Sequence, residues 1–352
     1  MHRLPYLLLS LALLAPAGLS AQASIFGVRG LGMPGRHLSA RSWGMAGASA
    51  LFDGESPKNP AALNNLRTLT ASFVLLPEFR SVSTPGGEEG LRDTQFPLLH
   101  IGGPIPGGRV NLGLSFSSYS DRDYEIVTHD TVSIRGVPTA VTDSFFSRGG
   151  LNDIRVAGSY TLSPYWTLGA GFHVITGSNR VQQRRAFGDS AFATSFQRAE
   201  LSYAGIGYSV GVQGWLRDNL GVAFMARSDV KANVDLDSVR VYTVDLPYTL
   251  ASGLYYRASP KVTLATQGTY RTWSGANSDL LAAGGLGSKN TLELSVGAEY
   301  TPDPRQPSRR PIRVGIRYAQ LPFLLTPGNQ PREISASIGT GFNFAADRGG
   351  LD

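Results

Sequence analysis

From Leu66 onward, apolar and polar positions alternate along segments of roughly ten residues, separated by turn-forming residues. Leu292, Leu294, Val296, Ala298 and Tyr300 interleave with Glu293, Ser295, Gly297 and Glu299. Trp166, Leu168, Ala170, Phe172 and Val174 interleave with Thr167, Gly169, Gly171 and His173, and Ile312, Val314, Ile316 and Tyr318 with Arg313, Gly315 and Arg317. A period of two places the two sets on opposite faces of a strand. The pattern predicts twelve strands, near 68–82, 92–102, 109–121, 150–162, 165–181, 200–217, 219–235, 246–258, 261–274, 290–301, 312–322 and 332–344.

The polar face decides the environment. A soluble sandwich would pack its apolar faces together in a shared core. Here nearly every strand sets a full-length apolar face against Gly, Ser, Thr, Arg and Glu, and aromatics such as Tyr160, Trp166, Trp215, Tyr256 and Tyr300 gather at strand ends. Ten-residue alternation, a polar interior and aromatic girdles describe an all-β, transmembrane antiparallel β-barrel. Tight joins at Ser163-Pro164, Asp218-Asn219 and Ser259-Pro260 predict one rim, and long loops at 122–149, 182–199 and 275–289 the other.

Composition narrows this further. With 42 Gly and 21 Pro in 352 residues, turns are frequent, and without Cys there is no disulfide framework or thiolate metal site. The net charge of +6 comes from scattered arginines and four lysines, so a solvated or lumen-facing surface is expected and a nucleic-acid partner is not.

Residues 1–23 read as a secretory signal peptide: Met1-His2-Arg3, an apolar run from Leu4 to Leu19, and a small-residue cleavage pattern ending at Ala23. Residues 24–67 lack strand periodicity and are rich in Gly and Ala, whereas 68–352 form the barrel. Asn59 is suited to a helix N-cap and Pro60 to the first helical position, so a short helix is expected there. Two placements remain for 24–67: a hatch inside the lumen, or an extension coiled below the barrel.

The Gly44-x-x-Gly47 run followed by Asn59-Pro60-Ala61 resembles the N-terminal hatch of the FadL/TodX family of outer-membrane transporters for long-chain fatty acids and other hydrophobic compounds. The resemblance continues through Trp166-x-Leu168-Gly169-x-Gly171-Phe172, Ala226-Arg227-Ser228-Asp229-Val230-Lys231, Leu246-Pro247, Thr272-Trp273-Ser274, Arg313-x-Gly315-Ile316 and Leu321-Pro322, with Ala226 standing where the family carries an aromatic residue. It implies a luminal hatch with short helices inside a barrel of fourteen strands, two more than the pattern yields. In the family pattern Leu351-Asp352 would open the next strand, so the last two strands are expected to be missing; the rival is a twelve-stranded barrel ending at Phe342-x-Phe344.

The function expected from the resemblance is passive uptake of fatty acids or aromatic hydrocarbons through the outer membrane of a Gram-negative-type bacterium. Trp43, Gly44, Met45, Gly47, Phe52, Asn59, Pro60 and Ala61 are the expected gating residues, and Ile25 and Phe26 the expected pocket lining. Expected partners are the hydrophobic solute, outer-membrane lipids and lipopolysaccharide, and the barrel-assembly machinery. The alternative is a PorV-like barrel serving protein secretion or surface attachment, with loops 122–149 and 182–199 carrying the activity.

No catalytic residue, metal or cofactor is expected. The mature histidines His37, His100, His129 and His173 have no sequence pattern of a Ser or carboxylate partner, although His173 has lumen-facing parity. Gly30-Leu31-Gly32-Met33-Pro34-Gly35 spells G-x-G-x-x-G but has no strand before it and no βαβ unit after it, so it is not a dinucleotide site. Asp121-Arg122-Asp123 and Asp235-Leu236-Asp237 read as solvated loop carboxylates.

Overall fold

The computed structural model of the chain describes residues 25–84, 87–189, 191–303, 310–344 and 349–352. The signal-peptide expectation for 1–23 lies outside the described residues. Twelve strands form one continuous antiparallel path: β1 (Thr70–Thr84), β2 (Gly87–Pro104), β3 (Val110–Asp121), β4 (Val137–Thr161), β5 (Trp166–Phe187), β6 (Ser195–Arg217), β7 (Leu220–Asp229), β8 (Tyr248–Arg257), β9 (Val262–Arg271), β10 (Thr291–Tyr300), β11 (Ile312–Gln320) and β12 (Arg332–Thr340). Each pairs with its neighbours in chain order, and among the described residues no ladder joins β1 to β12. The sheet is therefore a barrel wall with one open side.

Burial along the strands is the inverse of a soluble protein's. On β10, Glu293, Ser295, Gly297 and Glu299 are buried while Leu292, Leu294, Val296 and Tyr300 are exposed. On β11, Ile316 is 64% exposed and Arg317 only 7%. Such a continuous apolar outer face is stable only against lipid, and it rings the wall as a transmembrane band.

Three strands run far beyond the sequence expectation. β4, β5 and β6 have 25, 22 and 23 residues, against the ~9–11 that cross a bilayer. The segments expected as loops at 122–149 and 182–199 are largely β-structure: Tyr124–Ile134 pairs with β4 from Tyr124↔Ser147 to Ile134↔Val137, and β4–β5 pairing reaches Val141↔Phe187. The alternation is lost there because both faces are wet, as Arg180, Gln182, Gln183, Arg184 and Arg185 show. The predicted strand 219–235 also divides, at the end of β7; Ala232–Leu236 pairs back onto β6 and with Val239–Val244. At the other end of the chain Phe342–Phe344 pairs with Gly349–Leu351 as a separate hairpin.

Residues 25–69 take no part in the wall apart from Met33–Pro34, which pairs with β3. Instead they fold against its inner surface. Helix α1 (Ala40–Gly44) is capped by Ser39, whose hydroxyl accepts the Ser42 N–H at 3.1 Å. The expected helix at Pro60 is a 3-10 helix, Pro60–Asn65, with the Asn59 side chain accepting the Ala61 N–H at 3.0 Å. Between them Ala46 and Gly47 both have positive φ, 53° and 87°, which turns the chain back on itself.

At the long-loop rim a second apolar core forms. Leu31, Val234, Val244, Leu280, Trp273 and Phe323 pack together, with the Trp273 and Phe323 rings edge to face at 5.1 Å. The hairpin 232–244, helix α2 (Asn277–Ala282) and the 321–324 turn thus make a cap over the lumen.

Candidate functional site, the N-terminal segment and the cavity above it

The N-terminal segment is first held by its own hydroxyls. Asp53 is buried, and Ser42 and Ser56 donate to its carboxylate at 2.7 and 3.2 Å, joined by Ser39. These satisfy a buried charge that would otherwise be expensive. Nothing in the sequence pattern marks the three serines, because each is an ordinary residue until the chain folds around Asp53.

Glycines on the inner wall then admit the segment's backbone. A Cβ on Gly211 would collide with Asn59 Oδ1, and one on Gly169 with the Ala61 nitrogen. On the far side, Gly297 and Gly315 abut the Met45 backbone in the same way. The Gly169 and Gly315 of the sequence motifs are thus recesses for the segment. Met45 is fully buried against Ala48 and Ala265, and Phe52 packs with Leu51, Ala223, Met225 and Tyr255. Gly44 meets β12, where Ser337 Oγ donates to its carbonyl at 3.0 Å.

Polar contacts divide by side. Towards β3–β6 and β9 they are neutral but for one guanidinium: Asn111 donates to the Leu63 and Leu66 carbonyls at 2.9 Å each, Asn65 to Gln213 at 3.1 Å, and the Leu51 N–H to Gln267 at 3.2 Å. Arg155 adds a donation to the Pro57 carbonyl at 2.6 Å. Towards β10–β12 they are ionic: Arg41 to Glu299 at 2.8 Å, Lys58 to Glu293 at 3.6 Å, and Arg36 to Glu333. The same wall carboxylates bind wall arginines, Arg313 on Glu299 at 2.6 Å and Arg317 on Glu293 at 3.2 Å. Burial, with Arg271 and Arg317 nearby, pulls the Lys58 ammonium down to about 8 despite Glu293. Burial first, then the charges of Lys58 and Arg227, push His37 down to about 3.

A cavity of about 340 Å³ lies between the segment and the open side of the wall. Met33, Trp43, Leu76, Pro97 and Leu321 give its apolar surface, and Arg36, Arg332 and Glu333 together with Glu78, Gln95, Ser118 and Asp121 its polar part. It touches β1 through Leu76 and β12 through Arg332 and Glu333, so both edges of the sheet contribute. Trp43 is half-buried and lines this cavity, with the Arg36 guanidinium 5.4 Å over its ring. Ile25 and Phe26 lie in a 3-10 turn, Ile25–Val28, and their side chains fall outside the described residues. A second hollow, about 790 Å³, lies on the outer surface among Leu168, Val210, Phe224, Leu250 and Leu294, where it faces lipid.

His173 has partners that the sequence pattern does not reveal. Its Nδ1 contacts both Asp153 oxygens at 2.9 and 3.0 Å, and its Nε2 contacts Ser209 Oγ at 2.9 Å. The order is that of an acid, base and nucleophile. Yet Asp153, His173 and Ser209 are 2%, 1% and 3% exposed, none lines the cavity above, and Arg227 takes the second Asp153 oxygen at 2.6 Å. The set braces β4, β5, β6 and β7 together. Shared inward parity on adjacent strands is the one signal the sequence carries. The strand register, Asp153↔Ile175 and Gly171↔Ser209, comes only with the fold. Among the described residues no group of His, Asp and Glu could hold a metal ion, and the Asp235 carboxylate pairs with Arg240.

The family model described as BamG matches residues 4–243. Among solved structures, a Pseudomonas aeruginosa FadL homologue aligns with a TM-score of 0.59 at 15% identity, covering 89% of this chain and 88% of that one. The P. putida toluene transporter TodX gives 0.55 at 15% identity over 89% of each chain, and the CymD monoaromatic hydrocarbon channel 0.53 at 15% over 90% of each. No curated protein matches in sequence. At this identity the likeness is one of fold: the wall is a barrel of the FadL/TodX type.

Proposed function

This chain belongs to the BamG family, and we propose that it is an outer-membrane passive channel for hydrophobic compounds, with the N-terminal segment as its hatch. The observation that carries this reading is the 340 Å³ cavity, apolar along Trp43, Leu76 and Leu321, set above the hatch and against the open side of the wall. Apolar surface removed from water gains about 25 cal/mol per Å², so a hydrophobic solute is held in the cavity against the aqueous side without an energy source. The ion pairs on Glu293, Glu299 and Glu333 and the positive-φ turn at Ala46-Gly47 are the contacts that a moving hatch would break. Trp43, Gly44, Met45, Gly47, Phe52 and the Asn59-Pro60-Ala61 turn carry the gating; Ile25 and Phe26 belong with the lining. No catalytic step is assigned: transport by partition accounts for the site. The partners are the solute, the surrounding lipids and lipopolysaccharide, and the barrel-assembly machinery.

The test is uptake of radiolabelled oleate and toluene by cells producing the chain. Leu76→Trp, which fills the cavity, is expected to lower uptake at least severalfold at unchanged outer-membrane level. Asn59→Ala, which removes the cap of the 3-10 helix, costs about 1 kcal/mol and is expected to alter uptake while the barrel still assembles. Unchanged uptake in both would end the transport reading.

A second reading rests on one observation: β4–β6 and the 124–134 strand extend the wall well past the bilayer as a paired β-surface. That surface suits a PorV-like partner in secretion or surface attachment, and unchanged uptake together with loss of a secreted cargo would favour it.

A further inference from the structure

A small chamber lies where the N-terminal segment, the wall and the cap meet. Its volume is about 40 Å³, and its polar lining includes His37 and Lys58 from the segment, Arg227, Asp229 and Arg271 from the wall, and Trp273 from the cap. One water needs roughly 10–15 Å³ of such space, so the chamber has room for an occupant. Three of its lining side chains carry a buried nitrogen without a hydrogen-bond partner: Trp273 Nε1, Arg227 Nη2 and His37 Nδ1. Trp273 and Arg227 are only 3% and 8% exposed.

Two of these nitrogens can only donate, since neither indole nor guanidinium has an acceptor. Leaving them empty costs the full desolvation of each group. The carboxylates nearby are already engaged. Asp229 accepts Arg227 Nε at 2.7 Å and the Tyr119 hydroxyl at 3.1 Å, and Asp153 accepts Arg227 Nη1 at 2.6 Å. Glu293 is shared between Lys58, Arg271 and Arg317, at 3.6, 3.4 and 3.2 Å. Burial is the main reason that Lys58 and His37 hold their protons weakly, with the cations Arg271 and Arg317 beside Lys58, and Lys58 and Arg227 beside His37, adding to it. An anion there would accept from Trp273 Nε1 and Arg227 Nη2 at once, satisfying both donors.

We propose that this chamber binds one small monovalent inorganic anion, of chloride or bromide size, held by Trp273 Nε1, Arg227 Nη2 and the Lys58 ammonium. The anion joins cap, wall and N-terminal segment at one point, so its binding stabilises the closed arrangement of all three.

The experiment uses the full-length protein purified in detergent. Crystals grown in bromide are expected to show one anomalous peak within hydrogen-bonding distance of Trp273 Nε1 and Arg227 Nη2. In solution the unfolding midpoint is expected to rise saturably with bromide at fixed ionic strength, gluconate (too large for the chamber) making up the balance. Trp273→Phe keeps an aromatic ring beside Phe323 and removes the donor, so the apparent bromide affinity is expected to fall about tenfold. No anomalous peak would mean that water alone fills the chamber and would overturn the proposal. A midpoint that responds equally to bromide and gluconate would reduce the effect to screening and would overturn it as well.

Discussion

The two sides of the barrel wall hold the N-terminal segment by different physics. Towards β3–β6 the contacts are short, shaped and, Arg155 apart, neutral: amides on carbonyls, Leu63 and Leu66 against Ala157, and glycines at 169 and 211 that admit the segment's backbone and the Asn59 side chain. Towards β10–β12 glycines 297 and 315 admit the Met45 backbone as well, but there Arg36, Arg41 and Lys58 also reach carboxylates that wall arginines share. The first kind of contact depends on fit and fails when volume is added. The second depends on charge balance and fails when one partner is lost, because a buried ion left alone is costly. A segment that swings would do so about the fitted side, with the ionic side as its latch.

The largest expected effect tests the latch. Glu293→Gln removes the carboxylate shared by Lys58, Arg271 and Arg317 and is expected to cost about 3–5 kcal/mol. Limited proteolysis of the segment under non-denaturing conditions should show it exposed while the barrel stays heat-resistant. Protection equal to wild type would mean that the ionic side contributes nothing to anchoring. Next comes the fitted side: Gly211→Val places a branched side chain where Asn59 Oδ1 sits and is expected to cost about 3 kcal/mol. Here the midpoint of thermal unfolding should fall, and Gly211→Ala should fall less.

The smallest effect is a pH slope. Lys58 is held at about 8 in the folded chain against 10.5 as the ordinary value, so below pH 8 the folded state carries the full cost of the buried cation. Between pH 8 and 10.5 the unfolded chain binds the proton that the folded chain has lost, and stability rises with pH. Lys58→Met is expected to flatten that slope in chemical denaturation, whereas Asn111→Leu, on the neutral side, should leave it intact. A slope that survives Lys58→Met would assign it elsewhere.

Much of this is readable residue by residue. The period of two along β10 and β11 follows from the bilayer, which demands an apolar side chain at every outward position whatever the neighbouring strand is. The Asn59 cap with Pro60 is readable because a cap is a contact over two residues. The extensions of β4, β5 and β6 are not, because outside lipid no face is forced to be apolar and the pattern dissolves into Arg, Gln and Ser. The role of Trp43 is half readable: an aromatic in a Gly/Ala run signals packing, but its place on the cavity depends on Leu76 and Leu321, far away in sequence. His173 shows the same limit. Its lumen-facing parity is visible, whereas Asp153 and Ser209 become its partners only through the β4–β5–β6 register.

By itself, then, the sequence determined which residues of strands such as β10 and β11 face lipid, and that a short helix opens at Asn59-Pro60. These depend on interactions a few residues long. Only the tertiary structure decided that Arg41 meets Glu299, that Gly211 makes room for Asn59, that β1 and β12 border one cavity, and that Lys58, Arg227 and Trp273 surround one chamber. Those contacts join residues tens to hundreds of positions apart. Strand register and the curvature of the wall set their distances, and no local pattern carries either.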